Sequence, residues 1–433
     1  MTAIRVITCA RLARVITVKR GIIMEDRIIK YIKENWDKTV RQPEDTIHGM
    51  VRLPKPFTVP CARDTFTDFY YWDTYFTNLG LMLTGRDAQA ENNLDIICWF
   101  INNLGYMPNA NHLLDRSQPP LFTRGVYDLY KFRNDPAIID KYIDAILREL
   151  NFFQTDRTVF DGLCAFGNNC TRQMLYSSAG WLAARVGEKY ASPEEGAELA
   201  NELYSIAESG WDFNPRFPYG EKRFAPSRYV HLDINCLLYD AESKASEMLT
   251  IRGRNKEAAA LRKAASDRKD KIRKYLRDSS TGIYYDYDFK SDRFSPVLSC
   301  ISFYPYALGI DSDPASASEV LRRLELLYGI SSCEYRGENA RYLQWDYPAM
   351  WPSNVYFAYT ALENAGLKGD AERVAAKYLH TVQNVFDATG SLWEKYDAAN
   401  EAVSVTTEYE TPAMLGWTAG VYVWLSSRIG GDR

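Results

Sequence analysis

Segments with helical periodicity follow one another along this chain in pairs, and no Pro/Gly/Ser-rich linker breaks the succession. The apolar spacing predicts helices over 25–36, 70–84 and 88–104, the last two parted by Gly85-Arg86-Asp87. Ser117 is expected to cap a helix whose first turn holds Pro119 and Pro120, where missing amides cost nothing. Helices over 136–153 and 171–190 follow, and Ser192-Pro193-Glu194-Glu195 reads as a capping box opening a helix to about Glu208. The next pair covers 228–251 and 256–277. In its second member Leu261, Ala265, Arg268, Ile272 and Leu276 fall on one stripe, an arginine interrupting an otherwise apolar face. Segments 299–308, 314–328, 352–365, 370–386 and 416–429 complete the set, while strand-like alternation is confined to short pieces such as 282–287. A dozen or so helices in consecutive hairpins, with long aromatic loops after alternate helices, predict an all-α toroid of two concentric helix layers. Loops at one end of such a toroid surround a central funnel, and function concentrates on loops held by a rigid scaffold.

Those loops carry an uncommon dipeptide. Four of the ten tryptophans precede aspartate, at Trp36-Asp37, Trp72-Asp73, Trp211-Asp212 and Trp345-Asp346. Ordinary composition gives about one such pair or fewer. The last three sit in aromatic-polar clusters: Phe69 to Tyr75, Glu208 to Phe213, and Gln344 to Pro348. An indole beside a carboxylate suits a sugar, because the apolar ring face stacks on a pyranose and the carboxylate bonds its hydroxyls. A propeller repeat is excluded, since the last three pairs lie well over a hundred residues apart, not about forty. A tryptophan core with solvated acids at helix ends is the plain alternative.

Composition narrows the partners. Thirty tyrosines in 433 residues favour a wide, wet, aromatic-lined cleft. A net charge of −4 with no basic stripe gives no electrostatic case for nucleic acid or an anionic membrane. The expected partner is a small sugar. Eight scattered cysteines without paired CxxC spacing, and four histidines without ligand spacing, argue against a zinc site and for reduced thiols in a cytoplasmic protein, leaving open a disulfide between Cys164 and Cys170. Residues 1–23 are basic but hold no continuous apolar stretch, unlike a secretory signal or a membrane span. They read as a disordered or mis-started extension before Met24, with a basic targeting peptide as the alternative, leaving 24–433 as a single domain.

Taken in order, FTDFYYWDTYFTNLGL (66–81), RSQPP (116–120), ESGWDF (208–213), HLDINCLLY (231–239), GIYYDYD (282–288), QWDYPAMW (344–351), EKYD (394–397) and EY with LGWTAGV (408–409, 415–421) resemble the trehalase family of glycosidases. The resemblance runs from about residue 54 to 426 and implies an (α/α)6 barrel that hydrolyses α-linked glucose with inversion, without metal or cofactor. Inversion needs two carboxyl groups about 6.5–9.5 Å apart on opposite faces of the sugar. Asp212, in the family's acid position, is the candidate acid, and burial between Trp211 and Phe213 is expected to favour its protonated form. Glu408, nine residues before Trp417, is the candidate base, with Glu410 its rival. The resemblance further implies sugar binding by Asp73 and Asp346, by Arg116 and Gln118 of RSQPP, and by Asn109. Phe66, Trp72, Gly210, Trp211, Trp345, Trp351 and Trp417 are expected to shape the sugar site, with Glu394 near the base. Pure core is the alternative for the tryptophans, and an anchor bonded to a carboxylate at a helix start is the alternative for Arg116.

The pattern also breaks. Thr65 stands where the family's first signature has arginine, with Arg63 close by; Tyr204 replaces a second arginine upstream of Glu208. The segment between Asn111 and Arg116 is about two residues short. Val403 to Thr407 replaces a glycine-rich lid, and Met350 and Ser353 depart from the second signature. These losses fall on the side of the departing sugar. An arginine bonded to a sugar hydroxyl contributes on the order of 1–4 kcal/mol to discrimination, so losing two points to a different or broader aglycone. The runner-up is therefore another α-glucosidase or a glucosylglycerate- or mannosylglycerate-type hydrolase on the same toroid. A catalytically silent sugar-binding protein is the alternative of a different class. Terpenoid cyclases share helical toroids, but no aspartate-rich motif for diphosphate or polyene chemistry is present.

Overall fold

The computed structural model describes residues 26–47, 50–62, 65–220, 223–404, 411–413 and 415–429. Among these the helices are α1 (Arg27–Asn35), α2 (Tyr71–Leu83), α3 (Asp87–Leu104), α4 (Phe122–Arg133), α5 (Ala137–Asp156), α6 (Arg172–Val186), α7 (Pro193–Glu208), α8 (Leu232–Ile251), α9 (Asn255–Tyr275), α10 (Tyr304–Ala307), α11 (Pro314–Leu324), α12 (Pro352–Asn364), α13 (Lys368–Thr389) and α14 (Gly416–Ile429). Six of them form an inner ring, in which α14 packs on α2, α2 on α4, α4 on α8, α8 on α10, α10 on α12 and α12 on α14. Helices α3, α5, α9, α11 and α13 pack outside, each against a ring member, and α1 lies against α14. This is an (α/α)6 barrel. Inner helices α2, α8, α12 and α14 are buried almost all round, whereas outer α9 and α13 bury one stripe each.

The arginine on the α9 stripe is explained by its neighbour. Arg268 is buried and forks onto Glu242 of α8 (Nη2 to Oε1, 2.8 Å), with its remaining donors on Asn235 and Gln154. It is a satisfied buried ion pair, not a break in the packing. The hairpin α6–α7 stands apart from the ring. Its helices pack chiefly on each other, and Leu182, Val186, Leu203 and Ile206 belong to an apolar cluster separate from the main core.

Several expectations are corrected. Ser117 caps no helix: α4 begins at Phe122, and the Ser117 hydroxyl donates to Met107 O (2.6 Å). The paired prolines after it instead keep 117–121 out of helix. The capping box at α7 is half formed, since Ser192 Oγ accepts from Glu195 N but the Glu195 carboxylate takes the amide of Ala191 (2.6 Å). The helix expected from residue 228 starts at Leu232, after a short strand, and α11 stops at Leu324. Of 282–287, only Tyr287 enters a named strand, Tyr287–Asp288. Cys164 and Cys170 are both free thiols.

Ring closure depends on two glycines. A Cβ on Gly80 of α2 would lie 2.7 Å from Gly420 Cα of α14, and one on Gly420 would lie 1.9 Å from the carbonyl oxygen of Phe76. Backbone cannot yield as a flexible side chain can. Gly420→Ala is therefore expected to destabilise the protein by at least about 1–3 kcal/mol, the ordinary scale of overpacking, or to abolish folding. Thermal unfolding followed by circular dichroism checks this, and an unchanged transition would contradict the crossing.

Candidate active site

At one end of the barrel the loops enclose a cavity of about 610 Å³. Motifs far apart in sequence meet on its wall. Helix α2 brings Trp72 and Asp73 at its first turn, and its amide at Trp72 is held by Gln118 Oε1 (2.7 Å). Asn109, Arg116 and Gln118 come from the segment between α3 and α4, Gly210 and Asp212 from the turn after α7, Trp345 and Trp351 from the loop before α12, Glu394 from the loop after α13, and Trp417 from α14. Phe66 and Thr65 line it too.

The floor is a stack of indoles. Trp345 lies flat on Trp351 (3.7 Å between centroids, 3° between planes), and Trp417 meets both edge-on. Trp211 continues the stack behind Trp345 at 5.1 Å and does not itself line the cavity. Its expected contact with sugar is thus replaced by support of Trp345. The indole N–H groups of Trp72 and Trp351 are buried and have no acceptor among the described residues.

Asp346 also departs from expectation. It is buried, ion-paired with Arg336, and accepts from the amides of Leu343 and Tyr347, and it is absent from the cavity wall. Burial, opposed by Arg336 and those amides, raises its carboxyl to about 6. It shapes the loop that presents Trp345. Arg116 lines the cavity while bonded to Asp115 (2.6 Å) and lying 5.5 Å from the ring of Tyr204, so contact with a carboxylate and a place at the cavity coexist, without a helix start.

Three carboxyl groups share the space. Asp73 is pushed up to about 8, first by burial, then by the charge of Glu394 and more weakly by Asp212, against the hold of a backbone amide. It is therefore protonated at neutral pH and able to donate a hydrogen bond as well as accept one. Glu394 is buried beside Lys395 (2.8 Å), and its backbone carbonyl accepts from Trp417 Nε1 (3.0 Å). Asp212 is not the enclosed carboxyl expected between two aromatics. About a third of its side chain (34%) is exposed, and Arg185 Nη2 lies 3.2 Å from Oδ2. Glu408 and its rival Glu410 lie outside the described residues, as does Arg63.

Sequence reasoning missed Trp181 and Arg185 of α6, which also line the cavity. Their only signal was the i, i+4 spacing of a tryptophan and an arginine on a helix without a motif.

A helical toroid with an indole-floored, carboxyl-lined cavity at its loop end is the arrangement expected of a glycoside hydrolase. The sequence model of the trehalase family matches residues 22–430, so the chain belongs to that family. In solved structures the fold is similar to neutral trehalase Nth1 from Saccharomyces cerevisiae, with TM-score 0.69 and 22% identity over 95% of this chain and 81% of that one. It is similar as well to the GH63 mannosylglycerate hydrolase from Thermus thermophilus in complex with Tris and D-glycerate, with TM-score 0.65 and 14% identity over 92% of this chain and 100% of that one. Among the described residues no helix is long and apolar enough to cross a membrane.

The raised Asp73 carboxyl has a measurable consequence. Unfolded, the group titrates near about 3.9, so between about pH 4 and 8 the folded protein holds a proton that the unfolded chain releases. Stability falls as pH rises through that window. Asp73→Asn removes this dependence and is expected to be more stable than the wild type by on the order of a few kcal/mol at pH 8, with the difference vanishing below about pH 4. Urea denaturation across pH tests it, and a difference independent of pH would contradict the raised value.

Proposed function

We propose that the protein is an inverting α-glycoside hydrolase that cleaves an α-linked glucoside, with trehalose the leading candidate. What supports this reading is the convergence of twelve family-matched residues, from Phe66 to Trp417 and including Asp212, on one cavity. The glucosyl ring rests against the indoles of Trp345, Trp351 and Trp72, where apolar C–H faces replace water. Asp73, protonated at neutral pH, and the amides of Asn109 and Gln118 bond its hydroxyls. Asp212 gives its proton to the glycosidic oxygen. Glu408 takes a proton from a water on the opposite ring face, and that water attacks the anomeric carbon as the bond to the leaving oxygen breaks. Product forms with the anomeric centre inverted. Glu394 lies beside Asp73 and helps position the base. The same reading takes residues 24–433 as one catalytic domain and, from the scattered thiols, places it in the cytoplasm.

A second reading keeps the chemistry and changes the leaving group. Thr65 on the wall and Tyr204 behind Arg116 stand where arginines would grip a second sugar, which favours a glucosylglycerate- or mannosylglycerate-type substrate.

Hydrolysis of α,α-trehalose followed by proton NMR is expected to release one α- and one β-glucose per turnover at the earliest times. Asp212→Asn and Glu408→Gln should each lower kcat by about a hundredfold or more while leaving the unfolding transition in place. Greater loss from Glu410→Gln than from Glu408→Gln would move the base, and greater loss from Asp73→Asn than from Asp212→Asn would move the acid. Sugar binding by calorimetry without turnover of any glycoside would show a silent binding protein.

A further inference from the structure

From its place behind the indole floor, we infer that Lys395 is a positioning residue, holding the Glu394 carboxylate as an anion and the Trp351 indole in its plane. The inference rests in part on the hydrolase reading above, because Glu394 and Trp351 line the cavity that reading uses. Lys395 itself is completely buried and absent from the cavity wall. Its placement follows from a three-stranded antiparallel sheet, in which Tyr396–Asp397 lies between Ala349–Met350 and Ala402–Val403. Met350 pairs with Tyr396, so the register carries on to set Lys395 across from Trp351. Nζ lies 4.8 Å from the centre of that indole and 2.8 Å from Glu394 Oε2. Trp345 covers one face of Trp351 at 3.7 Å, which leaves the ammonium on the other.

A lysine stripped of water is costly unless a counter-charge and an aromatic face replace its hydration. Both are supplied here, and both belong to groups on the cavity wall. The titratable groups facing Glu394 from neighbouring elements are acids: Asp73 at the start of α2, Cys61 in the segment before α2 and, beyond Asp73, Asp212. Burial among such neighbours favours the protonated form of a carboxyl. The Lys395 ammonium opposes that, and the charge it preserves on Glu394 in turn helps raise the carboxyl of Asp73. One cation outside the cavity thus sets which carboxyl inside it is ionised and which carries the proton. Attraction to the same cation presses the indole of Trp351 into its stack.

Infrared spectroscopy near about pH 7, on protein isotope-labelled at the glutamate side-chain carboxyls, reads the Glu394 proton directly. Each protein is compared with its Glu394→Gln derivative, so that the Glu394 band alone differs. Wild type is expected to lose no protonated-carboxyl band in that comparison, and Lys395→Met to lose one. Glu394 ionised in Lys395→Met, or already protonated in wild type, would overturn the role. Should Lys395→Met not fold, the double variant Lys395→Met/Glu394→Gln, which buries no lone charge, is expected to fold. Failure of both would show a need for shape and overturn the role of charge. Steady-state kinetics with α-glucosyl fluoride carry the inference to turnover. Lys395→Met is expected to lower kcat by about tenfold to a hundredfold with little change in KM, the loss deepening as pH falls and Glu394 takes up its proton. A loss equal at every pH would overturn the electrostatic role and leave the hydrolase reading standing. A wild type that turns over neither the fluoride nor trehalose would reject the hydrolase reading, while the infrared comparison would still decide what Lys395 does.

Discussion

The contact of α2 with α14 at Gly80 and Gly420 sets the geometry of everything at the loop end. These are the first and last helices of the ring, and their backbones touch without an intervening side chain. Asp73 sits at the start of one and Trp417 at the start of the other. Trp417 Nε1 holds the carbonyl of Glu394, and Thr418 Oγ1 holds that of Trp393 (2.6 Å), so the loop carrying Glu394 is pinned to α14. Close helix packing thus becomes electrostatics. It brings the Glu394 charge near enough to Asp73 to raise its carboxyl, and a wider crossing would relax that coupling.

Asp212 is held differently, by two buried ionic clamps on either side of its turn. Before it, the Glu208 carboxylate takes both arms of Arg157 (2.7 Å each) and the amides of Ser117 and Gly167. After it, Arg216 bonds Asp286 through two nitrogens and Asp233 through a third. Buried charges are tolerable only when satisfied this fully, and removing one partner typically costs about 3–5 kcal/mol. Between the clamps Gly210 adopts φ +76, a left-handed conformation open to glycine, while the Asp212 carboxyl projects into water and toward Arg185. The backbone is clamped while the carboxyl stays accessible, the combination that precise positioning of a reacting group requires.

The four Trp-Asp pairs show how far sequence reasoning reaches. The dipeptide marked the clusters that meet at the cavity, and helical periodicity marked the ring, because both follow from local pattern. What the aspartate does is decided by distant residues. Asp37 forms an exposed ion pair with Arg86; Asp73 faces Glu394; Asp212 faces Arg185; Asp346 is turned into the protein onto Arg336. One dipeptide gives four environments, each set by a partner between ten and several hundred positions away. The same reason hid Trp181, whose place on the cavity wall depends on how a hairpin docks and not on any motif. Ser117 misled because the prolines after it delay the helix to Phe122, and its hydroxyl donates instead to Met107 O, ten residues back.

The division between ring and hairpin bears on how such a site changes substrate. The floor and the carboxyl cluster are built on the ring, where each side chain is wedged among helices and a volume change is felt throughout the core. The hairpin's apolar cluster is separate, so α6 can change its exposed face without disturbing that packing. Tyr204 illustrates the trade. Its ring lies against the guanidinium of Arg116 and gives that cation an aromatic surface to rest on. Arg185 of α6 places a second guanidinium in the cavity, against the carboxyl of Asp212.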